Sequence, residues 1–255
     1  MEITNKVAVI TGGVSGLGNA CAQMFVESGA KVALLDLYED SGNALAGKLG
    51  GGAIFCKTDV TDENEVQKAI DRTMEVFGAV HIAINCAGIG IPAKVIGKKG
   101  PMSMKSFKKV IDVNLSGTMN VIRLTAEKML LNIPDENGEV GVVINTASTA
   151  AFDGQIGQAA YSASKSALVG MALPIAREFA DYGIRINTIA PGLFDTPILD
   201  GIKKEVKEVI GQMIPFPKRL GIPKEFAMLA KHVVENVMLN AETIRLDGAL
   251  RMAAK

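Results

Sequence analysis

A serine, a tyrosine and a lysine stand close together in the segment Ile144–Lys165. Ser148 follows an apolar run, Val140–Ala147, that predicts a buried strand, and the carboxyl ends of such strands are where open α/β sheets bind ligands. Tyr161 and Lys165 are four residues apart, so on a helix both side chains lie on one face. We expect all three side chains to face one site.

These residue types can move a proton. A phenol with a pKa near ~10 is a weak base at neutral pH, but a neighbouring ammonium or another cation favours its phenolate. Tyr161 beside Lys165 would then exchange a proton with a substrate alcohol. Ser148 would donate a hydrogen bond to the same oxygen and stabilise the charge that develops there. A Tyr-x-x-x-Lys pair also occurs by chance in many helices, so this interpretation depends on the rest of the chain.

A glycine-rich turn near the N-terminus predicts a dinucleotide site. The apolar run Val7–Ile10 is typical of a buried parallel strand, and it leads into TGGVSGLG, with a helical pattern over Ala20–Val26 beyond it. Glycines without a Cβ atom let a pyrophosphate approach the backbone N–H groups at a helix N-terminus. The residues expected to contact the cofactor here are Gly12, Ser15, Gly16, Leu17 and Gly18.

An acidic residue ends the second predicted strand, Lys31–Leu35. Asp36 stands where a dinucleotide fold places the acid that bonds the adenosine ribose hydroxyls. Its charge would repel a 2′-phosphate, and the glycine turn contains no Arg or Lys to offset this. The sequence therefore predicts NAD and not NADP as the cofactor. The alternative is an exposed strand-end aspartate without a ligand.

Two more predicted strands bring residues to the same edge. Ala53–Lys57 is followed by Asp59 and Val60, where the adenine ring would lie. Val80–Asn85 opens into a second small-residue turn that lets the backbone approach the cofactor, formed by Cys86, Ala87 and Gly88.

Strands and helices alternate along the whole chain. The further helices are predicted over Glu63–Phe77, starting in the region Thr61–Asn64, from Ser106 onward with Asn114 within the helix, as a second long helix that runs to about Leu131, from Tyr161 to about Tyr182, and over Pro223–Glu235. The further strands are predicted over Ile184–Ala190 and Thr243–Leu246. This alternation predicts an α/β fold, a single Rossmann-type doubly wound parallel sheet of about seven strands with helices on both faces. We expect one domain over residues 1–255.

Two segments without a clean pattern are predicted substrate loops. Residues 193–216 are rich in apolar residues and predict a covering flap with one helix. Residues 90–104 contain glycines, prolines and three lysines without an acid: Lys94, Lys98 and Lys99. A basic rim made by Lys98 and Lys99 would suit a substrate with phosphates far from its reacting carbon. A solvated surface loop is the plain alternative.

The composition argues against several classes of partner and of binding site. Lys plus Arg equals Asp plus Glu at 27 each, so nothing indicates nucleic acid or an anionic membrane as a partner. The 3 cysteines form no CxxC motif and the 2 histidines lie far apart, so we expect no metal site and no disulfide framework. No membrane span or secretory signal is expected. We expect a cytoplasmic protein, with the mitochondrial matrix as the alternative if the source is eukaryotic.

Together these motifs resemble the short-chain dehydrogenase/reductase family. TGGVSGLG, Asp36, NCAG, VNLSG, YSASK and PGLFDTP appear in the family's order over essentially the whole chain. The resemblance implies catalytic roles for Ser148, Tyr161 and Lys165, and a water relay from the lysine supported by Asn114. It also implies that the cofactor is bound by the stretch after the sixth strand, at Pro191, Gly192, Leu193, Phe194 and Thr196. Cys86 stands where the family more often has a second Asn.

A narrower set of segments resembles one subgroup, the type II 3-hydroxyacyl-CoA dehydrogenases. This resemblance rests on INTASTAAFDGQIGQAAYSASK, IAPGLFDTPIL, PFPKRLG and IRLDGALRM. It implies reversible NAD-linked oxidation of a 3-hydroxyacyl-CoA by a homotetramer, with Gln155 and Gln158 lining the substrate side. The alternatives are a dehydrogenase of steroids or other small secondary alcohols, and a non-catalytic NAD-binding scaffold or redox sensor. Retention of Ser148, Tyr161 and Lys165 speaks against the last.

Overall fold

Seven parallel strands form the centre of the molecule. The computed structural model describes residues 1–98, 100–197, 201 and 204–254. In this part of the chain the sheet order is β3-β2-β1-β4-β7-β8-β9, and every neighbouring pair is parallel. The strands are β1 (Val7–Thr11), β2 (Lys31–Asp36), β3 (Ala53–Lys57), β4 (Ile82–Asn85), β7 (Gly141–Thr146), β8 (Ile184–Pro191) and β9 (Thr243–Leu246). A separate small hairpin is formed by β5 (Ile96–Gly97) and β6 (Gly100–Pro101).

Helices cover both faces of this sheet, which confirms the predicted doubly wound fold. One face is covered by α1 (Gly16–Glu27), α2 (Glu39–Leu49) and α8 (Pro223–Glu235), whose apolar side chains join one core cluster. The other face is covered by α3 (Glu63–Phe77), α5 (Thr118–Met129) and α6 (Ala159–Phe179). The remaining helices are α4 (Met104–Ile111) and α7 (Lys204–Gln212).

The strands are apolar throughout because both of their faces are covered. Every residue of β1, β7 and β8 is buried, as expected for central strands of a parallel sheet between two helix layers. Helix α3 has the predicted bounds, Glu63–Phe77, and its N-cap is Asp62, within the predicted start region; the Asp62 side chain accepts from the N–H groups of Asn64 and Glu65. It ends at Gly78, which has the left-handed φ of 79° common at such positions.

Several local features differ from the sequence prediction. Helix α2 was not predicted, because its apolar residues are few and do not form a strong apolar face. The predicted loop 90–104 contains the β5–β6 hairpin, and α4 begins at Met104. A π-helical segment, Asp112–Gly117, joins α4 to α5, so the two run as one continuous helical stretch. The predicted flap 193–216 contains α7, but residues 198–200 and 202–203 lie outside the described residues, as does Lys99.

The strand order creates a crevice beside β1. The chain runs from β1 outward to β3 on one side, then crosses to β4 and continues outward on the other side. Ligands of open α/β sheets bind at such a reversal, outside the carboxyl ends of the strands. Thr11 at the end of β1 pairs with Asn85 at the end of β4, so the two predicted cofactor turns start side by side. Among the described residues, no helix is long and apolar enough to cross a membrane.

Candidate active site

The two turns at the crevice touch through a glycine. Gly12 has a left-handed φ of +61°, and a Cβ atom there would lie 2.9 Å from the backbone nitrogen of Ala87 and 2.9 Å from the carbonyl carbon of Cys86. Ala87 N–H donates to the Thr11 hydroxyl at 3.1 Å. A Cβ atom at Gly18 would collide with the Gly12 carbonyl oxygen. This cradle admits a close approach by a pyrophosphate to backbone N–H groups, with exposed Ser15 at the start of α1.

Asp36 lies beside the glycine turn. Its carboxylate accepts from Leu37 N–H at 2.8 Å and from Val14 N–H, within the turn, at 3.3 Å. The carboxylate is therefore held at the end of β2 next to the residues that would hold a pyrophosphate. This is the placement that a ribose-binding acid requires.

A groove of about 590 Å³ lies between the end of β3 and helix α4. Asp59 and Thr61 form one wall, and the Asp59 carboxylate accepts from the Thr61 N–H at 2.9 Å and the Thr61 hydroxyl at 2.7 Å. Val60 is buried, and its side chain packs so closely on Gly117 that a Cβ atom there would lie 2.6 Å from Val60 Cγ2. Val60 could therefore meet an adenine mainly through its backbone.

The three predicted catalytic side chains meet at the end of β7. Lys165 donates from Nζ to the Thr146 carbonyl at 2.6 Å, and the same Nζ lies 5.8 Å from the centroid of the Tyr161 ring. The Ser148 side chain lies close enough to the Tyr161 hydroxyl to lower the pKa of that group. The Ser148 oxygen also accepts from Ala150 N–H at 3.1 Å, at the start of a short 3₁₀ turn that follows the strand. A substrate oxygen between Ser148 and Tyr161 would thus meet both hydroxyls.

Burial is the main cause of the shifted pKa values of Tyr161 and Lys165. Burial raises the pKa of Tyr161, and the hydrogen bond with Ser148 lowers it to a smaller extent. Burial also lowers the pKa of Lys165 from 10.5 to about 8. Desolvation disfavours the charged forms of both side chains, so burial opposes the phenolate that the sequence interpretation requires. The phenolate needs further positive charge beside it.

Asn114 lies in the π-helical segment and joins three parts of the site. Its Oδ1 accepts from Ile89 N–H at 2.8 Å, and its Nδ2 donates to the Ile89 carbonyl at 2.9 Å and to the Ser164 hydroxyl at 3.0 Å. A Cβ atom at Gly88 would lie 3.3 Å from Asn114 Oδ1 and 3.4 Å from Lys165 Nζ. The asparagine and the lysine therefore flank the second cofactor turn, as a relay between them requires.

The stretch after β8, which is predicted to bind the nicotinamide, offers a cofactor backbone groups as well as side chains. Pro191 ends β8, and Gly192 N–H donates to the Leu246 carbonyl at 2.9 Å. Thr196 packs beside the glycine turn, since a Cβ atom at Gly16 would lie 3.4 Å from its Cβ. The ring of Phe194 is instead buried in the core, against Gly221, so this residue offers a cofactor its backbone and not its side chain. Leu193 lies between them and accepts from Gly221 N–H at 2.8 Å.

The substrate side is formed by the loop before α6. Ala93 N–H donates to the Gly157 carbonyl at 2.8 Å, which ties residues 90–93 to this loop. Gln158 Oε1 accepts from Gln155 N–H at 3.0 Å, and Gln155 Nε2 donates to the Ala253 carbonyl at 3.1 Å. The Gln155 amide thus binds the chain's own C-terminal segment.

Of the predicted basic rim, the structure describes Lys98. Lys98 is exposed at the β5–β6 turn and makes no hydrogen bond or ion pair with any described residue. The structure therefore brings Gln155 and Gln158 to the substrate loop but does not bring Lys98 into contact with the site.

Four residues of the site were not singled out from the sequence. Thr146 holds Lys165 through its carbonyl, Thr11 accepts from the second cofactor turn, and Ile89 and Ser164 bind Asn114. Thr11 is a polar residue at the end of an apolar strand and acts through its side chain, so its type is a usable signal, whereas Thr146 binds Lys165 through its backbone. The contacts of Ile89 run through its backbone, so its side-chain type carries no signal.

Comparisons with known proteins agree with this geometry. The family model for short chain dehydrogenases matches residues 6–207. The human protein named 3-hydroxyacyl-CoA dehydrogenase type-2 is 54% identical over 253 residues, covering 98% of this chain and 97% of that protein. The Drosophila melanogaster protein of the same name is 49% identical over 252 residues, covering 98% and 99%. A crystal structure of 3-hydroxyacyl-CoA dehydrogenase type-2 from Mycobacterium avium superposes with a TM-score of 0.95 at 41% identity and 98% coverage of both chains. The chain belongs to the short-chain dehydrogenase family of oxidoreductases.

Proposed function

We propose that this enzyme interconverts 3-hydroxyacyl-CoA and 3-ketoacyl-CoA with NAD as the hydride carrier. The observation that carries the proposal is the meeting of Ser148, Tyr161 and Lys165 after the end of β7, with Lys165 Nζ 2.6 Å from the Thr146 carbonyl and 5.8 Å from the Tyr161 ring centroid. Ser148 and Tyr161 together can bind the oxygen of a secondary alcohol, and the relatives are named for 3-hydroxyacyl-CoA, whose alcohol carbon is separated from the thioester carbonyl by one carbon. The glycine cradle around Gly12 fits a dinucleotide, since a side chain there would fill the space.

Each catalytic side chain has a distinct task in this proposal. A nicotinamide ring held by the Gly12 and Cys86 turns would supply the hydride acceptor and, when oxidised, a positive charge that lowers the pKa of Tyr161. Tyr161 takes the proton of the alcohol, and Ser148 donates a hydrogen bond to the same oxygen. Lys165 holds its ammonium between Thr146 and the tyrosine ring, while Asn114 keeps the Gly88–Ile89 backbone in place. In the reductive direction the same groups return the proton.

NAD is proposed over NADP because of Asp36. Its carboxylate is fixed by Val14 N–H at the glycine turn, where a 2′-phosphate would bring two negative charges together. Leu37 and Tyr38, the next residues, supply no cation. The aspartate instead offers acceptors to the ribose hydroxyls.

We further propose a homotetramer in the cytoplasm. Large apolar side chains stand in water on the described chain, including Ile133 at 91% exposed and Leu131 at 70%. Contacts between subunits would cover such surface. All 3 cysteines are free thiols, which is typical of a reducing compartment. Light scattering on the purified protein tests the assembly: a mass of one chain contradicts it.

A second candidate is a dehydrogenase of steroids or other small secondary alcohols. It is favoured by Lys98, which is exposed and makes no hydrogen bond or ion pair with any described residue, so no described contact holds this lysine in place for the phosphates of coenzyme A. The hydroxyl pair itself recognises only the alcohol and not its chain.

A substrate panel separates the two candidates. NADH oxidation is followed with acetoacetyl-CoA, with the N-acetylcysteamine thioester of the same acid, and with a steroid ketone. We expect the highest kcat/KM for acetoacetyl-CoA, because the nucleotide end adds binding contacts. Equal values for the two thioesters would show that coenzyme A is not recognised, and a preference for the steroid would favour the second candidate.

The lysines of the hairpin provide a sharper test. We expect Lys98→Ala/Lys99→Ala to raise KM for acetoacetyl-CoA and to leave KM for the N-acetylcysteamine thioester unchanged, with a difference that shrinks as salt is added. Lys68→Ala, an exposed lysine on α3, is the matched control. An equal effect on KM for both substrates would show that these lysines do not bind coenzyme A.

A further inference from the structure

Arg245, in β9, is the centre of an ion-pair network beside the loop before α6. Its Nη2 donates to the Asp153 carboxylate and to the Leu250 carbonyl, and its Nε donates to the Asp247 carboxylate at 2.7 Å. The guanidinium also lies 5.2 Å from the centroid of the Phe152 ring. The side chain of Arg245 is 20% exposed and that of Asp247 is 6% exposed, so both charges lie largely out of water. The hydride transfer proposed above gives none of these residues a task.

Asp153 belongs to the loop before α6, which we define as residues 152–158. Its neighbour Gly154 packs on α6 so closely that a Cβ atom there would collide with the hydroxyl of Ser162, which directly follows the reacting tyrosine. Among the described residues, the Asp153 carboxylate accepts a hydrogen bond from Arg245 alone. Arg245 therefore holds this loop where it rests on the helix of the tyrosine.

The segment after β9 lies along the same loop and depends on the same arginine. Ile156 N–H donates to the Ala254 carbonyl at 3.1 Å, beside the contact that the Gln155 amide makes with this segment. The Leu250 carbonyl, earlier in the segment, accepts from Arg245 Nη2 at 3.0 Å. The loop is thus held by Arg245 directly and also through the segment that Arg245 anchors.

Asp247 connects the arginine to the stretch after β8, which is predicted to bind the nicotinamide. Gly192, in that stretch, lies directly against it: a Cβ atom at Gly192 would lie 2.8 Å from Asp247 Cβ and 2.9 Å from Asp247 Cα. The Asp247 carboxylate also accepts from Ala249 N–H at 3.0 Å and from Arg251 Nη1 at 3.2 Å. Asp247 therefore keeps two partners if Arg245 is replaced, and the stretch after β8 should stay in place.

We propose that Arg245 is a positioning residue for the substrate, which holds the loop before α6 at a fixed spacing from the stretch after β8. Arginine suits this task because its planar guanidinium donates from separate N–H groups in fixed directions, so one side chain sets the relative position of two carboxylates. A substrate whose oxygen lies between Ser148 and Tyr161 must fit between this loop and the nicotinamide. A change in the spacing would misplace the reacting carbon. The positioning role rests on the proposed function, whereas the tether itself does not.

The kinetics of Arg245→Met test the positioning role. We expect KM for acetoacetyl-CoA to rise several-fold and kcat to fall, while the Kd for NADH stays within a few-fold of the parent, because only the loop before α6 loses its tether. Arg245→Lys keeps a cation that reaches one carboxylate at a time, so its KM should lie between those of the parent and Arg245→Met. Arg72→Met, which removes an exposed ion pair within α3, is the control and should leave KM unchanged. An unchanged KM in folded Arg245→Met would overturn the positioning role.

A double-mutant cycle assigns the effect to the contact with Asp153. Asp153→Ala removes the acceptor and leaves Arg245 paired with Asp247, so it tests the tether even if Arg245→Met fails to fold. We expect Asp153→Ala to raise KM, and the double variant to raise it by less than the two single effects combined, since both changes remove the same contact. Independent effects that add in full would overturn the assignment of the tether to this pair.

Hydrogen exchange tests the tether without a substrate. We expect the backbone amides of residues 152–158 to exchange faster in Arg245→Met and in Asp153→Ala than in the parent, and those of α3 to exchange at the same rate. Equal rates in the loop would overturn the tether, and faster exchange with an unchanged KM would overturn the positioning role. A parent that binds NADH without reducing acetoacetyl-CoA would instead contradict the proposed function, and faster exchange in the variants would still support the tether.

Discussion

Lys165 is a buried cation held by one carbonyl oxygen. Its side chain is 4% exposed and donates to Thr146, with its pKa lowered to about 8 by burial. A protonated lysine in this position costs folding free energy, because one hydrogen bond does not replace its hydration. The positive charge beside Tyr161 therefore lowers the stability of the folded enzyme.

This cost predicts a pH-dependent stability difference between the enzyme and Lys165→Met. Below about pH 8 the lysine is protonated in both the folded and the unfolded chain, so the full cost is present. Between about pH 8 and pH 10.5 the unfolded chain binds the proton and the folded chain does not, so rising pH stabilises the parent relative to the variant.

Urea unfolding at about pH 7 and about pH 10 measures the change. We expect the free energy of unfolding of the parent, measured relative to that of the variant, to be higher at about pH 10 than at about pH 7 by on the order of 3 kcal/mol. One pKa unit corresponds to about 1.4 kcal/mol. A difference that stays constant with pH would contradict the lowered pKa.

Asp36 predicts the cofactor preference. Asp36→Asn removes the charge and keeps one oxygen that can accept from the backbone, so we expect kcat/KM with NADPH to rise relative to that with NADH. Asp181→Asn, an exposed acid in the turn after α6, is the matched control and should leave the ratio unchanged. Comparable kcat/KM values for the two cofactors in the parent enzyme would refute the role of Asp36.

Residue types and spacing predicted the positions of Ser148, Tyr161 and Lys165, because a strand end and an i, i+4 pair on a helix are local features. The sequence did not predict that Phe194 turns into the core or that the amide of Gln155 meets the backbone of Ala253. Both depend on segments that lie far away in the sequence. The raised pKa of Tyr161 was missed for the same reason, since burial is set by the whole fold.

Among the elements, the turn between β1 and α1 requires a glycine at position 12 for two separate reasons. Gly12 combines a positive φ with contact to the second cofactor turn, whereas Gly78 has a φ of +79° with nothing within 4 Å of a Cβ atom. An alanine at either position carries the strain of the left-handed region, about 1 to 2 kcal/mol. Only the alanine at position 12 would also push the two turns apart.

The pair of variants Gly12→Ala and Gly78→Ala therefore separates strain from function. We expect both to lower the midpoint of thermal unfolding, and only Gly12→Ala to abolish measurable NADH binding. Fluorescence titration with NADH together with a thermal melt gives both quantities on the same samples. Tight NADH binding by Gly12→Ala would show that the two turns do not form the cradle.

The elements with strong apolar runs were the predictable ones. The strands β1, β7 and β8 are buried on both faces, so their sequences are apolar without interruption. The π-helical segment around Asn114 has no such signal, because its sequence continues the helical pattern on both sides. Its extra residue per turn is defined by backbone hydrogen bonds between residues i and i+5, which the pattern of side chains does not reveal.

At the scale of the whole molecule, strand order brings the site together. Alternating strands and helices predicted a doubly wound sheet, but not that β1 lies between β2 and β4. That order puts the Gly12 turn against the Cys86 turn, and the next strand, β7, delivers Ser148 beside them. Pairings between strands are long-range contacts that depend on the packing of every helix, which a single sequence does not show.

The central claim is that Tyr161 transfers a proton within an NAD site that the rest of the fold forms. The direct measurement is NADH oxidation with acetoacetyl-CoA by Tyr161→Phe, together with the Kd for NADH of the same variant. Tyr182→Phe, an exposed tyrosine, is the matched control. We expect Tyr161→Phe to lose nearly all turnover while its Kd for NADH stays within a few-fold of the parent, because only the hydroxyl is removed. Turnover at the level of the parent enzyme would contradict the account.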